Sequence, residues 1–375
     1  MELSQGMAVV VDSDSAPVAA DARIHGLQAQ VVGVGTANSV HRYSQRALLD
    51  LFRIEDRRIR SVFLNGSIEQ RYLTLPNFAD DGSAITESQG ELLAKHRRVG
   101  IDMGLRALRA CLDETGAKLE DIRYLCCVTT TGMLTPGLSA HVCRELDLGR
   151  HCARLDVVGM GCNAGLNGLT AVNNWARANP GQLAVLLCVE VCSAAYIFDD
   201  SIETAVVNSL FGDGAAALAV VAGPPSAWSG PTLLKFSSRI IPEYIDAMRF
   251  DWNDGHGKFN FCLDRDVPYV IGSHAEQVID ALLKGTGLRR KDIAHWIVHS
   301  GGKKVIDAIR LNLGLSPHDL RHTTDVLANY GNLSSGSFLF SYQRLLAEDV
   351  AAPGDFAVMM TMGPGTTIEL ALMQW

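Results

Sequence analysis

The chain repeats itself in order, and that limits its folds more than any other feature. Leu119-Glu-Asp121-Ile122-Arg-Tyr-Leu125 resembles Arg289-Arg-Lys-Asp292-Ile293-Ala-His-Trp296; each is a helix end, an Asp-Ile pair and a strand, 171 residues apart (292 − 121). Nearly the same offset carries Cys162 to Asn332 (332 − 162 = 170), each just before an apparent helix. Near the close of each half, Phe211-Gly-Asp-Gly214 matches Met362-Gly-Pro-Gly365, a glycine turn leading into an apolar strand. Common strand–helix units could produce any one of these matches by chance. Three in the same order point to a duplicated domain whose halves pack about a pseudo-twofold axis, with Cys162 and Asn332 at facing helix starts.

Strands alternate with helices of 10–15 residues, which favours layered α/β structure. The pattern predicts strands at Gln28–Gly35, Ile122–Val128, Leu183–Val189, Ala215–Val221, about Leu233–Ile241, Trp296–His299, Phe356–Met362 and Thr367–Met373. It predicts helices at Tyr43–Ile54 (with Ser44 as its start), Glu91–Glu114, Leu138–Leu146, Tyr269–Leu283 and Leu333–Leu346, with one more between His299 and Asn329. Residues 76–90 and the stretch between Ile241 and Tyr269 read as loops. Gly223–Pro231 is the candidate linker, so the expected division is an N-terminal half (28–225) carrying the cysteine and a C-terminal half (226–375) carrying His299 and Asn332. Residues 1–27 read as a flexible extension without the basic start and apolar core of a signal peptide.

Cys162 lies in Val157-Val-Gly-Met-Gly161-Cys162-Asn-Ala-Gly165, a short strand, a glycine turn and then helical spacing. Free N–H groups at a helix start favour the thiolate, the nucleophilic form of sulfur. A cysteine that only fills core space is the alternative. Trp296-Ile-Val-His299-Ser-Gly-Gly302 puts a histidine at the C-terminal end of a buried strand, the edge where open α/β folds bind ligands. Asn332 is either a helix cap or an amide donor to a substrate oxygen. A Cys/His/Asn set suits acyl transfer to sulfur followed by carbon–carbon bond formation, with His and Asn donors steadying an enolate made by decarboxylation.

Composition closes several routes. The chain is 47% hydrophobic and 20% charged, with a net charge of −8, which argues against a general nucleic-acid binder but not against a local basic patch. Arg53, Arg57, Arg58 and Arg60 form either a solvated helix face or a phosphate-attracting rim. Nine cysteines show no CxxC pair and no metal spacing, so reduced thiols, no metal and a cytoplasmic setting are expected. No apolar run is long enough to span a membrane.

Over residues 28–375 the chain resembles the thiolase-fold condensing enzymes and, within them, the chalcone-synthase-like (type III) polyketide synthases. The motifs are Gly161-Cys162-Asn-Ala-Gly165, Leu210-Phe211-Gly-Asp-Gly214, His299-Ser-Gly-Gly302, Gly331-Asn332-Leu-Ser334-Ser335 and Gly363-Pro364-Gly365. The resemblance implies a layered αβαβα fold and a homodimer. It implies iterative decarboxylative Claisen condensation of malonyl-CoA with cyclisation to an aromatic product. CoA thioesters would be substrates, no cofactor would be needed, and helper enzymes could complete dehydration or thioester hydrolysis. Within the family the likeness is greatest to a bacterial branch that builds a dihydroxyphenylacetyl skeleton for antibiotic amino acids, through Ile59–Asn65, Val157–Leu166 and the stretch from Trp252.

Carried over residue by residue, Cys162 matches the acylated nucleophile, and His299 and Asn332 the decarboxylation pair. Phe211 and Phe261 match two gatekeeper aromatics. Ser334 and the loop Met362-Gly363-Pro364-Gly365 match cavity-shaping positions. Thr135 replaces a methionine that plant members push into the partner subunit's cavity, and Cys192 and Ala195 replace two cavity threonines. Arg58 matches one basic CoA-contacting position, whereas the next two fall on Ser61 and Asn65. These departures favour a small starter unit. Two other readings share parts of the pattern: a ketoacyl synthase performing one condensation, and a catalytically silent interaction subunit.

Overall fold

The computed structural model describes residues 27–113, 115–148, 151–199, 201–224 and 230–375. The expected extension therefore lies outside the described residues apart from Leu27, as do most of the linker (225–229) and the helix end at Glu114. In chain order the elements of the first half are β1 (Gln28–Asn38), β2 (Arg42–Ser44), α1 (Gln45–Leu51), α2 (Arg57–Leu64), β3 (Gln70–Tyr72), α3 (Gln89–Asp113), β4 (Ile122–Thr129), α4 (Leu138–Glu145), β5 (Ala153–Val158), α5 (Ala164–Ala178), β6 (Leu183–Glu190), α6 (Ile202–Leu210) and β7 (Gly214–Gly223). The second half follows with β8 (Thr232–Ile240), β9 (Met248–Asn253), β10 (Lys258–Leu263), α7 (Val267–Leu283), β11 (Ile293–Val298), α8 (Lys303–Leu313), α9 (Arg321–Tyr330), α10 (Ser337–Glu348), β12 (Phe356–Gly363) and β13 (Thr367–Gln374).

The duplication is explicit in the sheet. Its nine strands run β11-β12-β13-β8-β1-β7-β6-β4-β5. One half reads β4-β6-β7-β1 and the other β11-β12-β13-β8, each with a parallel pair followed by two antiparallel pairs. β5 alone has no counterpart in the second half. The halves meet edge to edge through only two residue pairs, Ala29–Leu233 and Gln30–Thr232. Both Asp-Ile repeats close a 3-10 turn ahead of a strand: Asp121 accepts from the Lys118 N–H at 2.9 Å, and Asp292 from the Arg289 N–H at 2.8 Å.

Five layers result, because each strand's alternation feeds two cores. On β4, Tyr124, Cys126 and Val128 face one core, while Leu125 and Cys127 face another. On β12, Ala357 and Met359 face that same first core, while Val358 and Met360 face a third. The shared core holds α5 and α10 between the two halves of the sheet; α3 and α4 cover the outside of one half and α7 and α8 the other. Runs such as Leu183–Glu190, buried at every position, are what a strand covered on both faces requires.

Two expectations change. The stretch between Ile241 and Tyr269 is not only loop: it contains the hairpin β9–β10, turned through Asp254 and Gly255. The single helix expected between His299 and Asn329 is two, α8 and α9, separated at Gly314, whose φ of 68° needs no side chain.

The helix starts of α5 and α10 approach so closely that only glycine fits. A Cβ on Gly165 would lie 2.2 Å from the Ser335 carbonyl oxygen. Gly165→Ala should therefore cost about 1–3 kcal/mol, read as a lower urea midpoint. Gly90→Ala is the control, because its Cβ would meet nothing nearer than 4.0 Å in the first turn of α3. Equal midpoints for the two variants would show that the helix starts are not packed against each other.

Candidate active site

The turn that presents Cys162 is made by glycine geometry. Gly159 and Gly161 take φ of 89° and 74°, and a Cβ on Gly161 would sit 2.2 Å from Pro364 Cδ. The chain then tightens into the 3-10 turn Gly161–Asn163 and enters α5. Cys162 is buried, and its Sγ lies 3.6 Å from Ser334 Oγ, a residue of the facing turn. The expected meeting of the two helix starts is thus realised, with Asn332 two residues ahead of the 3-10 turn Ser334–Gly336.

Asn332 is held by backbone on both sides. Its N–H donates to Leu210 O at 2.9 Å, and its carbonyl accepts from the Gly212 N–H at 3.0 Å, which ties it to Phe211. Its Oδ1 accepts from the Ser334 N–H at 2.8 Å. The amide NH2 is therefore the end left to donate, and the Cys162 sulfur is one of its acceptors. His299 continues from β11, its N–H donating to Met360 O at 2.9 Å, and Ser300 Oγ anchors the next residue on Gly331 O at 3.2 Å. The ring is buried and its Nδ1 has no hydrogen-bond partner among the described residues.

Burial penalises each charge taken alone. It pushes the Cys162 thiol up to about 12, against opposing hydrogen bonds from Ser334 and Asn332, and the His299 imidazole down to about 3.

Cys162, His299 and Asn332 line one cavity of about 430 Å³, together with Phe211, Phe261 and Met362. A second, smaller chamber lies against the same Cys162, Phe211 and Phe261, and is walled by Cys192, Ala195, Ser334 and Pro364 with Thr130, Thr131, Tyr196 and Phe250. The two aromatic rings meet edge to face, 5.5 Å apart, where the compartments join. Phe261 reaches this place from the β9–β10 hairpin. Gly363 and Gly365 line neither space; a Cβ on Gly363 would come within 2.8 Å of the Cys162 nitrogen, so this loop backs the nucleophile's turn.

Two more of the expected site residues border neither space. Arg58 has 86% of its side chain exposed, sits 3.8 Å from Asp56, and lines neither space. Thr135 lies exposed in the loop before α4 and borders neither compartment of its own chain. Arg265, Lys303 and Lys304, which sequence reasoning passed over, do line the larger cavity. A lysine pair directly after His299-Ser-Gly-Gly302 was the available signal.

Buried charge orders the wall. Arg71, fully buried, donates to Gln45 Oε1 at 2.8 Å, Tyr196 OH at 2.7 Å and Phe211 O at 2.5 Å. Asp213 accepts from Ser193 N–H and Oγ–H (2.9 and 2.7 Å) and from Thr74 N–H (2.8 Å). Glu190 accepts from Thr130, Thr131 and Ser335 (2.5 Å from the last). Desolvation raises both carboxyls. Among the described residues no group of three His, Cys, Asp or Glu side chains could hold a metal, and no helix is long and apolar enough to cross a membrane.

Similarity to known proteins agrees with this geometry. Residues 28–224 match the N-terminal domain of the chalcone and stilbene synthases, and residues 237–375 match the C-terminal domain. The chain is 61% identical over 350 residues to the 3,5-dihydroxyphenylacetyl-CoA synthase of Streptomyces toyocaensis, covering 92% of this chain and 90% of that one. It is equally similar over 343 residues to the enzyme of that name from Amycolatopsis orientalis, covering 92% of each. It is 31% identical over 363 residues to the 1,3,6,8-tetrahydroxynaphthalene synthase of Streptomyces peucetius subsp. caesius, covering 92% and 93%. Among solved structures, PKS-I from the brown alga Ectocarpus siliculosus superposes with a TM-score of 0.85 at 25% identity, covering 93% of this chain and 98% of that one. The chain belongs to the chalcone and stilbene synthase family, the type III polyketide synthases.

Proposed function

We propose that this enzyme condenses malonyl-CoA iteratively and closes the chain to 3,5-dihydroxyphenylacetyl-CoA. The observation that carries the reading is the convergence of Cys162, His299 and Asn332 on one cavity, in a chain 61% identical to synthases of that product. The Cys162 thiolate attacks the thioester carbonyl, the CoA thiolate leaves, and the acyl group rests on sulfur. A second malonyl-CoA loses CO2, and the electron pair moves onto its thioester oxygen as an enolate. The Asn332 amide and protonated His299 are the donors that hold that oxygen. The enolate carbon attacks the acyl group on Cys162, the C–S bond breaks, and the lengthened CoA thioester reloads the sulfur. His299 thus serves twice, first taking the thiol proton and then donating to the oxyanion.

The smaller chamber, about 30 Å³, has no room for a growing chain, so extension and ring closure belong to the larger cavity of about 430 Å³ on the Cys162–His299–Asn332 side of the Phe211–Phe261 pair. The small size of that chamber favours a small starter such as malonyl or acetyl. The thioester carrier supplies the leaving group, so the reading calls for no bound cofactor. A homodimer and a cytoplasmic setting complete it, with helper enzymes for dehydration or thioester hydrolysis. The priming-type ketoacyl synthase remains the second reading; 61% identity over 350 residues to a 3,5-dihydroxyphenylacetyl-CoA synthase favours the iterative enzyme.

Cys162→Ala should abolish extended products while still decarboxylating malonyl-CoA to acetyl-CoA, because the Asn332 amide remains and a neutral His299 still carries one ring N–H to donate. Asn332→Ala should lower that decarboxylation about 10²–10³-fold. A loss below threefold would mean that Asn332 does not hold the enolate. The proton transfer has its own signature. In the unmodified enzyme His299 takes the thiol proton, so iodoacetamide alkylation of Cys162 should be nearly flat above about pH 7. His299→Gln leaves the sulfur with only its burial-raised pKa of about 12, so alkylation should be slow and climb steadily through pH 9. Matching pH profiles for the two proteins would contradict the transfer.

A further inference from the structure

The cavity that ends at Cys162 has a chemically uneven rim. Its floor is buried: Cys162, Phe211, His299, Asn332 and Met362. The lining residues exposed to solvent are Ser61 and Asn65 on α2, Asp264 and Arg265 just before α7, and Lys303 and Lys304 at the start of α8. These define the mouth. On the α2 side the two polar groups are neutral and satisfy each other, Asn65 Nδ2 donating to Ser61 Oγ at 2.8 Å. The arginines of α2 do not line the cavity, and Arg60 is spent on Ile54 O at 2.9 Å.

Positive charge is gathered elsewhere on the rim. Lys303 is paired with Asp307 at 2.6 Å, and Asp264, the one carboxylate of the rim, accepts from the Asp266 N–H at 2.8 Å; Lys304 and Arg265 have no ion-pair or hydrogen-bond partner among the described residues. The chain carries a net charge of −8, so two unpaired cations at one mouth are not the background of this surface. α8 also begins without a side-chain cap, at Gly302 with φ 129°, and Gly301 and Gly302 themselves line the cavity. Uncapped N–H groups and two free cations around one opening make an anion site.

We propose that Lys304 and Arg265 form the site that grips the phosphates of the CoA thioester, in place of a clamp on α2. This rests on the thioester-condensing reading above and names its carrier-binding residues. The substrate enters with its acyl end toward Cys162 and leaves its phosphorylated end at the mouth, between α8 and the segment before α7. Lys304 and Arg265 act on binding alone, because they lie at the exposed rim and not beside the reacting sulfur.

The test compares malonyl-CoA with malonyl-N-acetylcysteamine, a thioester with the same acyl group and no phosphates, as substrates of the full-length chain. In Lys304→Glu/Arg265→Glu the KM for malonyl-CoA should rise about 10- to 100-fold, with kcat within about twofold. The kcat/KM for malonyl-N-acetylcysteamine should stay within about twofold of the unmodified enzyme. Added salt should raise the KM for malonyl-CoA in the unmodified enzyme more steeply than in the double variant. Lys118→Glu/Arg123→Glu, at exposed positions that do not line the cavity, makes the same change in net charge and serves as the control. An unchanged KM for malonyl-CoA in the double variant would overturn the proposal, as would a rise produced by Arg58→Glu instead. Equal losses with both thioesters would also overturn it, because that pattern reports a damaged cavity. The failures are separable: if the unmodified enzyme extends neither thioester, the condensing reading itself falls, whereas normal extension with an unmoved KM removes only the phosphate site.

Discussion

Everything at this site depends on the contact between two turns, one at the start of α5 and one at the start of α10. The Gly165 backbone lies against the Ser335 carbonyl with no room for a methyl group, and Cys162 Sγ reaches Ser334 Oγ at 3.6 Å. That approach turns a duplicated fold into an active centre. Each half alone brings one helix start with free N–H groups; packed face to face, they place Cys162 of one half beside the Asn332–Ser334 turn of the other. β11 of the second half then delivers His299 to the same place. The glycines that permit this are fixed by contact: Gly161 by Pro364, Gly165 by Ser335 and Gly363 by the Cys162 turn.

Desolvation shapes the chemistry as much as distance does. Cys162 and His299 each resist lone ionisation because they are buried. The surrounding wall carries Arg71, Glu190 and Asp213, all buried, with every one tied by several hydrogen bonds. Arg71 grips the carbonyl of Phe211, and the Phe211–Asn332 bridge passes that constraint to Asn332. Phe211 and Asn332 therefore share one backbone anchor. Such groups are costly to bury unless fully partnered, and here the partners hold the gate in place.

Much of this was legible in the sequence because it is encoded locally. The Asp-Ile repeats cap the same turn in both halves, and glycines around Cys162 announced a tight turn before a helix. His299 was marked by its position at the end of an apolar strand. The β9–β10 hairpin was harder, although Met248-Arg-Phe-Asp-Trp252 alternates and Asn253-Asp-Gly255 is a turn signal. Its short strands pair only with each other, so the alternation was brief and Phe261's wall could be placed only through family resemblance. The rim was legible only in part, for a different reason. Arg53, Arg57, Arg58 and Arg60 are a dense run in sequence, yet none of them lines the cavity, whereas Arg265 and Lys304, 39 residues apart (304 − 265), both do.

On the proposed reading one cavity of about 430 Å³ loads malonyl units on Cys162, extends them repeatedly and closes the ring. Incubating the purified chain with uniformly 13C-labelled malonyl-CoA as the sole substrate, and reading the products by mass spectrometry, tests it most directly. The expected result is a fully labelled eight-carbon dihydroxyphenylacetyl skeleton that disappears in Cys162→Ala. Products confined to a single condensation, or labelled acetyl-CoA with no ring, would contradict it.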